Sequence, residues 1–145
     1  MIEQIKTVLN GAKIGTLSVI DFETGAPFGA LVNVAMDEAG LPVFLFSQLA
    51  RHTKSLLANP AASLMVSDLP AQGDALVGFR TTLVGSMTKA ENGLRDRYIT
   101  KHPYAEMYVG FGDFDFWRMT PKMVYVVAGF GRIKSFAADE VFLIE

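Results

Sequence analysis

Between Phe44 and Pro60 the chain concentrates the side chains best suited to hold a charged ligand. An apolar, strand-like run stops at Ser47, and a helix-like segment begins within a few residues. The junction carries two hydroxyls, Ser47 and Thr53, and three basic side chains, Arg51, His52 and Lys54. A strand-to-helix turn leaves the first backbone N–H groups of the helix unpaired and exposes the positive end of its dipole. Basic side chains added there make a site for a phosphate-bearing ligand. The same spacing also describes a solvated loop entering a surface helix, and the residues alone leave both readings open.

Other chemistry has less support. The serines lack a G-x-S-x-G setting, and only His52 and His102 are available as a base, so no nucleophilic triad is apparent. Asp113 and Asp115 lie in the aromatic run Gly110–Trp117 and read as a turn residue and a surface residue more readily than as an acid–base pair. No G-x-G-x-x-G follows a strand, and there is no P-loop. His102, just before Pro103, reads as a helix-end residue, favourable near the negative pole of the dipole. Trp117 and the phenylalanines beside it read as core, although a flat ring system would need such apolar walls.

Composition narrows the field further. At 145 residues, half of them apolar and 19% charged, residues 1–145 read as one globular domain. A net charge of −2 without a basic run argues against nonspecific nucleic-acid binding. The chain has no cysteine, which removes disulfides and thiolate ligands, and with two histidines a metal site is not expected. There is no signal-peptide core and no apolar run near the ~20 residues that span a bilayer, so a cytoplasmic protein without membrane association is the expectation.

The elements that must position the junction follow from periodicity. Ile2, Ile5, Val8, Leu9 and Ala12 recur at helical spacing, and Asn10-Gly11 ends that helix. Strands are predicted over 13–20, 28–36, 41–47 and 61–67, with a short helix from Arg51 to Ala58 before Asn59-Pro60. Another strand begins at Phe79. Thr88-Lys89-Ala90-Glu91 has capping-box spacing for a helix that ends near His102. Strands over 114–120 and 122–130 follow, split at Pro121. The result is a mainly β (α+β) fold: a six-stranded antiparallel barrel with a few peripheral helices.

The order of these motifs is recognisable. Gly25-Ala26-Pro27-Phe28-Gly29 precedes Leu45-Phe46-Ser47-Gln48-Leu49-Ala50-Arg51-His52-Thr53 and Asn59-Pro60. His102-Pro103, Gly110–Phe114, Trp117–Pro121 and Val127–Gly131 come after. This sequence of motifs resembles the pyridoxamine 5′-phosphate oxidase-like FMN-binding split-barrel family, and within it the branch related to haem-utilisation proteins. The resemblance runs from about Ala12 to Lys134.

The resemblance implies FMN as cofactor. Ser47 would sit near its phosphate, Arg51 and His52 would be the phosphate-binding basic pair, and Lys54 would add charge. Arg80 would take the place of a flavin-contacting glutamine. Asn33 and Val34 would line the flavin with their backbone, and Phe46 would belong to the same cofactor site. The implied activity is that of a small FMN-dependent oxidoreductase with a small-molecule substrate or electron donor. The alternative is a flavin- or haem-binding module without turnover, serving haem utilisation or sensing, or a barrel whose cofactor site is vacant. A homodimer with flavin sites shared between chains is also implied, with Phe111, Phe114, Phe116 and Trp117 as the expected association surface. Two departures narrow the activity. Val126–Arg132 replaces the basic carboxyl-terminal signature of the oxidases, and the histidine-bearing carboxyl-terminal domain of haem-degrading relatives is not present before Glu145. Neither pyridoxamine phosphate oxidation nor haem oxygenation is therefore expected.

Overall fold

The strand that carries Trp117 is the longest, and three others hydrogen-bond to it. In the computed structural model, which describes residues 1–91 and 93–143, the chain forms eight strands, three α-helices and three short 3₁₀ turns. The strands are β1 Ile14–Ile20, β2 Pro27–Asn33, β3 Ala35–Met36, β4 Pro42–Ser47, β5 Ala61–Asp68, β6 Phe79–Lys89, β7 Phe114–Val127 and β8 Ile133–Ala137. The helices are α1 Ile2–Gly11, α2 Arg51–Ala58 and α3 Arg95–Lys101. All pairings are antiparallel, in the order β2-β1-β5-β6-β7-β4-β3, with β8 also on β7. The split barrel is thus confirmed, with eight strands rather than six.

The differences from the expected elements have local causes. Residues 114–127 form one strand, not two, because Pro121 falls where its missing N–H costs nothing. One edge of β7 carries β4 on residues 114–118 and β8 on residues 123–127, and Pro121 lies in the gap between them. On the other edge Pro121 faces Gly85, at a register shift that bends the β6–β7 ladder. The predicted strand over 28–36 breaks at Val34, whose N–H donates to Lys13 O at 2.9 Å before the chain turns into β3. The predicted cap at Thr88 does not form, because Thr88 and Lys89 continue β6 opposite Arg118 and Trp117. Helix α3 begins seven residues later, after Leu94.

Alternation divides the interior into two cores. Phe44, Phe46, Leu64, Leu83, Trp117 and Val124 close the barrel together with Ile5 and Leu9 of α1. Val43, Leu45, Phe116, Leu94 and Tyr98 pack under α3. Strand β4 is consequently buried on both faces. Phe116 and Trp117, expected at an association surface, belong to these cores, whereas Phe111 is exposed. No helix among the described residues is long and apolar enough to cross a membrane.

The outer face of the sheet is chemically unusual. One row of register partners reads Leu31, Thr16, Met65, Thr82, Tyr125 and Ser135 across six strands. The next reads Gly29, Ser18, Ser63, Val84, Met123 and Ala137. Neither row holds a charged residue, although Leu31 is 73% exposed and Met65, Val84, Met123 and Tyr125 are exposed as well.

The bend at Gly85 generates a prediction. A Cβ there would run into Thr120 O and lie 2.7 Å from Pro121 Cα, both backbone atoms that cannot swing aside. Gly85→Ala is expected to cost about 3 kcal/mol or more, at the upper end for overpacking. Urea denaturation checks this, and an unchanged midpoint would show that the ladder relaxes around the methyl group.

Candidate functional site

The β4–α2 junction forms where expected, but its groups are largely engaged in holding the fold. Ser47 ends β4, its carbonyl accepts from Ala50 N at 3.2 Å, and its Oγ accepts from Leu49 N at 3.1 Å. The hydroxyl therefore shapes the turn. Gln48 ties the junction to the start of β7, donating from its backbone to Asp113 O at 2.7 Å and from Nε2 to Asp115 Oδ2 at 3.1 Å. Asp115 also meets Lys89 Nζ at 3.6 Å.

Arg51 has the most specific partners. Its Nε donates to Asp21 Oδ1 at 2.6 Å and its Nη2 to Asp21 Oδ2 at 2.9 Å, a bidentate pair with a carboxylate that is only 4% exposed. Its Nη1 lies 3.3 Å from Glu23 Oε1. The rings of Phe22 and Phe28 flank the guanidinium at 5.3 and 5.8 Å. Asp21 Oδ2 also accepts from Glu23 N, Thr24 N and Thr24 Oγ1. The Arg51 guanidinium holds the Asp21 carboxyl well below the usual carboxylate range, against an opposing push from burial, and the backbone and hydroxyl donors of Thr24 and Glu23 add to it. Arg51 is shifted up in return, chiefly by its hydrogen bond to Asp21. Ser55 Oγ accepts from Phe22 N at 3.1 Å, so α2 and the β1–β2 turn are joined twice.

The next two residues differ in kind. His52 packs against the Phe46 ring edge-on, with centroids 4.4 Å apart, and its Nε2 is buried without a hydrogen-bond partner. Burial lowers its pKa, which favours the neutral imidazole. Thr53 Oγ1 and Trp117 Nε1 are likewise buried and unpartnered. Lys54 is exposed. Phe46, Ser47, Arg51, His52 and Lys54 are therefore brought together on one turn, with Phe46 contributing to the barrel core.

The remaining sequence-predicted positions lie elsewhere. Arg80 pairs with Val127 at the far end of β7, whereas Ser47 pairs with Phe114 at its start. Its guanidinium closes the preceding 3₁₀ turn, donating to Leu76 O at 2.7 Å. Asn33 ends β2 opposite Ile14. Val34 is fully buried, and its carbonyl accepts from His102 Nε2 at 2.9 Å. A carbonyl can only accept, so the proton of this imidazole sits on Nε2 and Nδ1 accepts from the Tyr104 hydroxyl at 3.0 Å. His102 caps α3 at its C-terminus, as read from the sequence, and also bolts that helix to the β2–β3 junction. A groove of about 1370 Å³ lies between α3 and the β3–β4 turn. There Arg97 donates to Met36 O at 2.7 Å and Arg118 to Asp37 Oδ2 at 2.9 Å. Sequence reasoning missed Asp21 and Glu23, for which the turn composition Asp21-Phe22-Glu23-Thr24-Gly25 gave no link to Arg51.

With this geometry in hand, comparison with known proteins is decisive. The family described as CREG, beta-barrel, matches residues 4–142. The chain belongs to that family. Over 133 residues it is 42% identical to the non-canonical heme oxygenase HOZ, a chloroplastic protein of Arabidopsis thaliana. That alignment covers 88% of this chain and 40% of the relative, so the chain spans less than half of the relative's length. Among solved structures, a heme binding protein from Mycobacterium smegmatis matches with a TM-score of 0.89 and 27% identity, over 97% of this chain and 59% of that one. A Clostridium acetobutylicum protein of the pyridoxinephosphate oxidase family matches with a TM-score of 0.73 and 14% identity, over 97% and 96% of the two chains, a likeness of fold alone. Membership of the CREG β-barrels thus agrees with the oxidase-like split barrel and its haem-related branch, both expected from motif order.

The same comparison overturns FMN as the cofactor, and with it the FMN-dependent oxidoreductase reading. The heme oxygenase HOZ and the Mycobacterium smegmatis protein, at 42% and 27% identity, are both named for haem. The junction itself supplies a physical reason. The Nε–Nη2 edge of Arg51, the fork that would grip a phosphate, is already closed by Asp21. Arg80, the position matched to a flavin contact, is spent on its own loop.

The Asp21 pair predicts an acid limb of stability. A carboxyl whose folded pKa is depressed contributes stability that is present above its unfolded value, near 3.9, and lost as pH falls towards the folded value. Asp21→Asn is expected to lower the thermal midpoint at pH 7 and to flatten its decline below about pH 4. Thermal melts of both proteins from pH 2.5 to 7 measure it, and parallel curves would show that the pair contributes nothing to folding.

Proposed function

We propose that this chain is a haem-binding β-barrel domain, the haem-utilisation alternative that its motifs left open. The observation that carries this reading is 42% identity across 88% of the chain to a heme oxygenase. Haem oxygenation, set aside on the sequence, is the activity in that relative's name, and we extend only the binding of haem to this chain.

The residues present fit such a ligand. Haem asks for apolar or aromatic walls, cations for two propionates and a ligand for iron. His52 is the histidine with an uncommitted ring nitrogen, kept neutral by burial, which is the form that binds metals. His102 has both ring nitrogens engaged. Nε2 of His52 is enclosed beside Phe46, so ligation through it requires the ring to turn outward. Arg51 and Lys54 supply cations, and Phe22 and Phe28 supply aromatic surface next to Arg51. Bound haem would supply iron redox and oxygen chemistry, and the protein would supply orientation and exclusion of water.

We further propose a homodimer in which a second copy covers the outer sheet face. In its two central rows six strands present apolar and hydroxyl side chains without a charge, a composition that suits an isologous interface better than solvent. The cytoplasm remains our proposed compartment, set against a relative that is chloroplastic. Imaging of the tagged protein tests that assignment.

Two measurements test the rest. Haem titration is expected to give a Soret band, and His52→Ala to shift that band and weaken binding by at least about tenfold, no less than the loss of a residue supporting a metal ligand. An unchanged spectrum for His52→Ala would remove the ligand assignment. In sedimentation the parent chain is expected to be a dimer, and Met65→Glu, placing a charge at the centre of the face, a monomer. A monomeric parent would exclude the interface.

A further inference from the structure

The Arg51 guanidinium has two edges with different partners. The Nε–Nη2 edge is fixed on Asp21 at 2.6 and 2.9 Å, and Asp21 is held in turn by Thr24 and by Glu23 N. The β1–β2 turn cannot easily carry Asp21 away. Asp21 N donates to Ala26 O at 2.8 Å, Gly25 N to Asp21 O at 2.9 Å, and Phe22 N to Ser55 Oγ at 3.1 Å. Among the described residues the Nη1 edge meets only Glu23, at 3.3 Å, and there the side chains are 43% and 59% exposed. An exposed single contact of that length is weak, and solvent and salt compete with it.

One edge is thus a rigid mount and the other an open receptor under a loosely held carboxylate. Phe22 and Phe28 flank the cation, and Phe22 is itself exposed, so apolar aromatic surface borders the receptor. A group that replaces Glu23 must be a carboxylate or a similar anion, and it gains further contact if it is attached to a flat apolar body.

We propose that Nη1 of Arg51, between Phe22 and Phe28, is the subsite for a carboxylate arm of a planar aromatic ligand, and that Glu23 is a built-in competitor that must give way to it. This rests on the haem reading, in which that arm is a propionate, and it identifies which edge of Arg51 is available. Asp21 acts as a positioning residue: it orients the guanidinium and leaves Nη1 facing outward. Glu23 keeps the site electrostatically closed when no ligand is present.

The test is Glu23→Gln, an exposed isosteric change whose folding is checked by thermal melt. Haem and haem dimethyl ester, in which both propionates are esterified, are titrated at low ionic strength into the parent protein, Glu23→Gln and Arg51→Ala. Glu23→Gln is expected to bind haem roughly two- to fivefold more tightly, the scale of an exposed ion pair, and to leave the ester unchanged. Arg51→Ala is expected to reduce the preference for haem over its ester, the other propionate being left to Lys54. If the parent binds haem and Glu23→Gln leaves the haem-to-ester ratio unaltered, the competitor is overturned while the haem reading stands. If the parent binds neither porphyrin, both fall.

Discussion

Strand β7 is the element on which the other parts of the barrel are hung, and the bend opposite Gly85 is what lets one strand serve three partners. Its first residues carry β4 and its last carry β8 on the same edge, with Pro121 in the gap between them. The opposite edge is given to β6 from Trp117 to Val127. A straight ladder of that length would project away from the core, whereas a bulge adds twist and curl. Placing β4 on β7 also decides where α2 begins, since Ser47 is the last residue of that pairing. Every group at the junction therefore depends on a backbone contact too close to admit a side chain at Gly85.

A second constraint is the way charge is distributed. Cations that look available in sequence are used at short range on carbonyls and carboxylates. Arg97 is held on Met36 O, Arg80 on Leu76 O, Arg118 on Asp37 and Arg51 on Asp21. The bonds of Arg97, Arg118 and Arg51 join segments far apart in the chain, whereas that of Arg80 closes its own turn. Hydrogen bonds to ionised groups are stronger than neutral ones, so a few of them orient loops that have little apolar area to bury. Lys54, by contrast, is exposed.

The sequence revealed the barrel's alternation but not its interruptions. Strands β1, β4 and β5 were legible because apolar and polar residues alternate or run continuously between turn signals. Strand β8 was not, since Lys134 and Ser135 are exposed and Phe136 alone is buried there. The continuity of β7 through Pro121 depended on where two other strands stop, which no local pattern encodes. At the site, the junction was legible from residue types, and the order of motifs carried the family. The cofactor was not legible, because counting cations leaves out their partners. Asp21 lies thirty positions from Arg51, in a turn whose composition reads simply as a turn.

The way β7 gathers its partners also sets an order of assembly. The β1–β2 hairpin closes across a short turn and needs nothing else to pair. Leu45 and Phe116, by contrast, are about seventy residues apart in the chain, and β4 finds its partner only after β5 and β6 have been made. Closing so long a loop costs entropy before burial repays it, and folds rich in such pairings form slowly. During synthesis the most apolar strand of the molecule, flanked by two unfinished cores, can therefore pair only with the two residues of β3 until β7 leaves the ribosome. The cell meets this chain first as an exposed Pro42–Ser47 segment, and only later as a closed barrel.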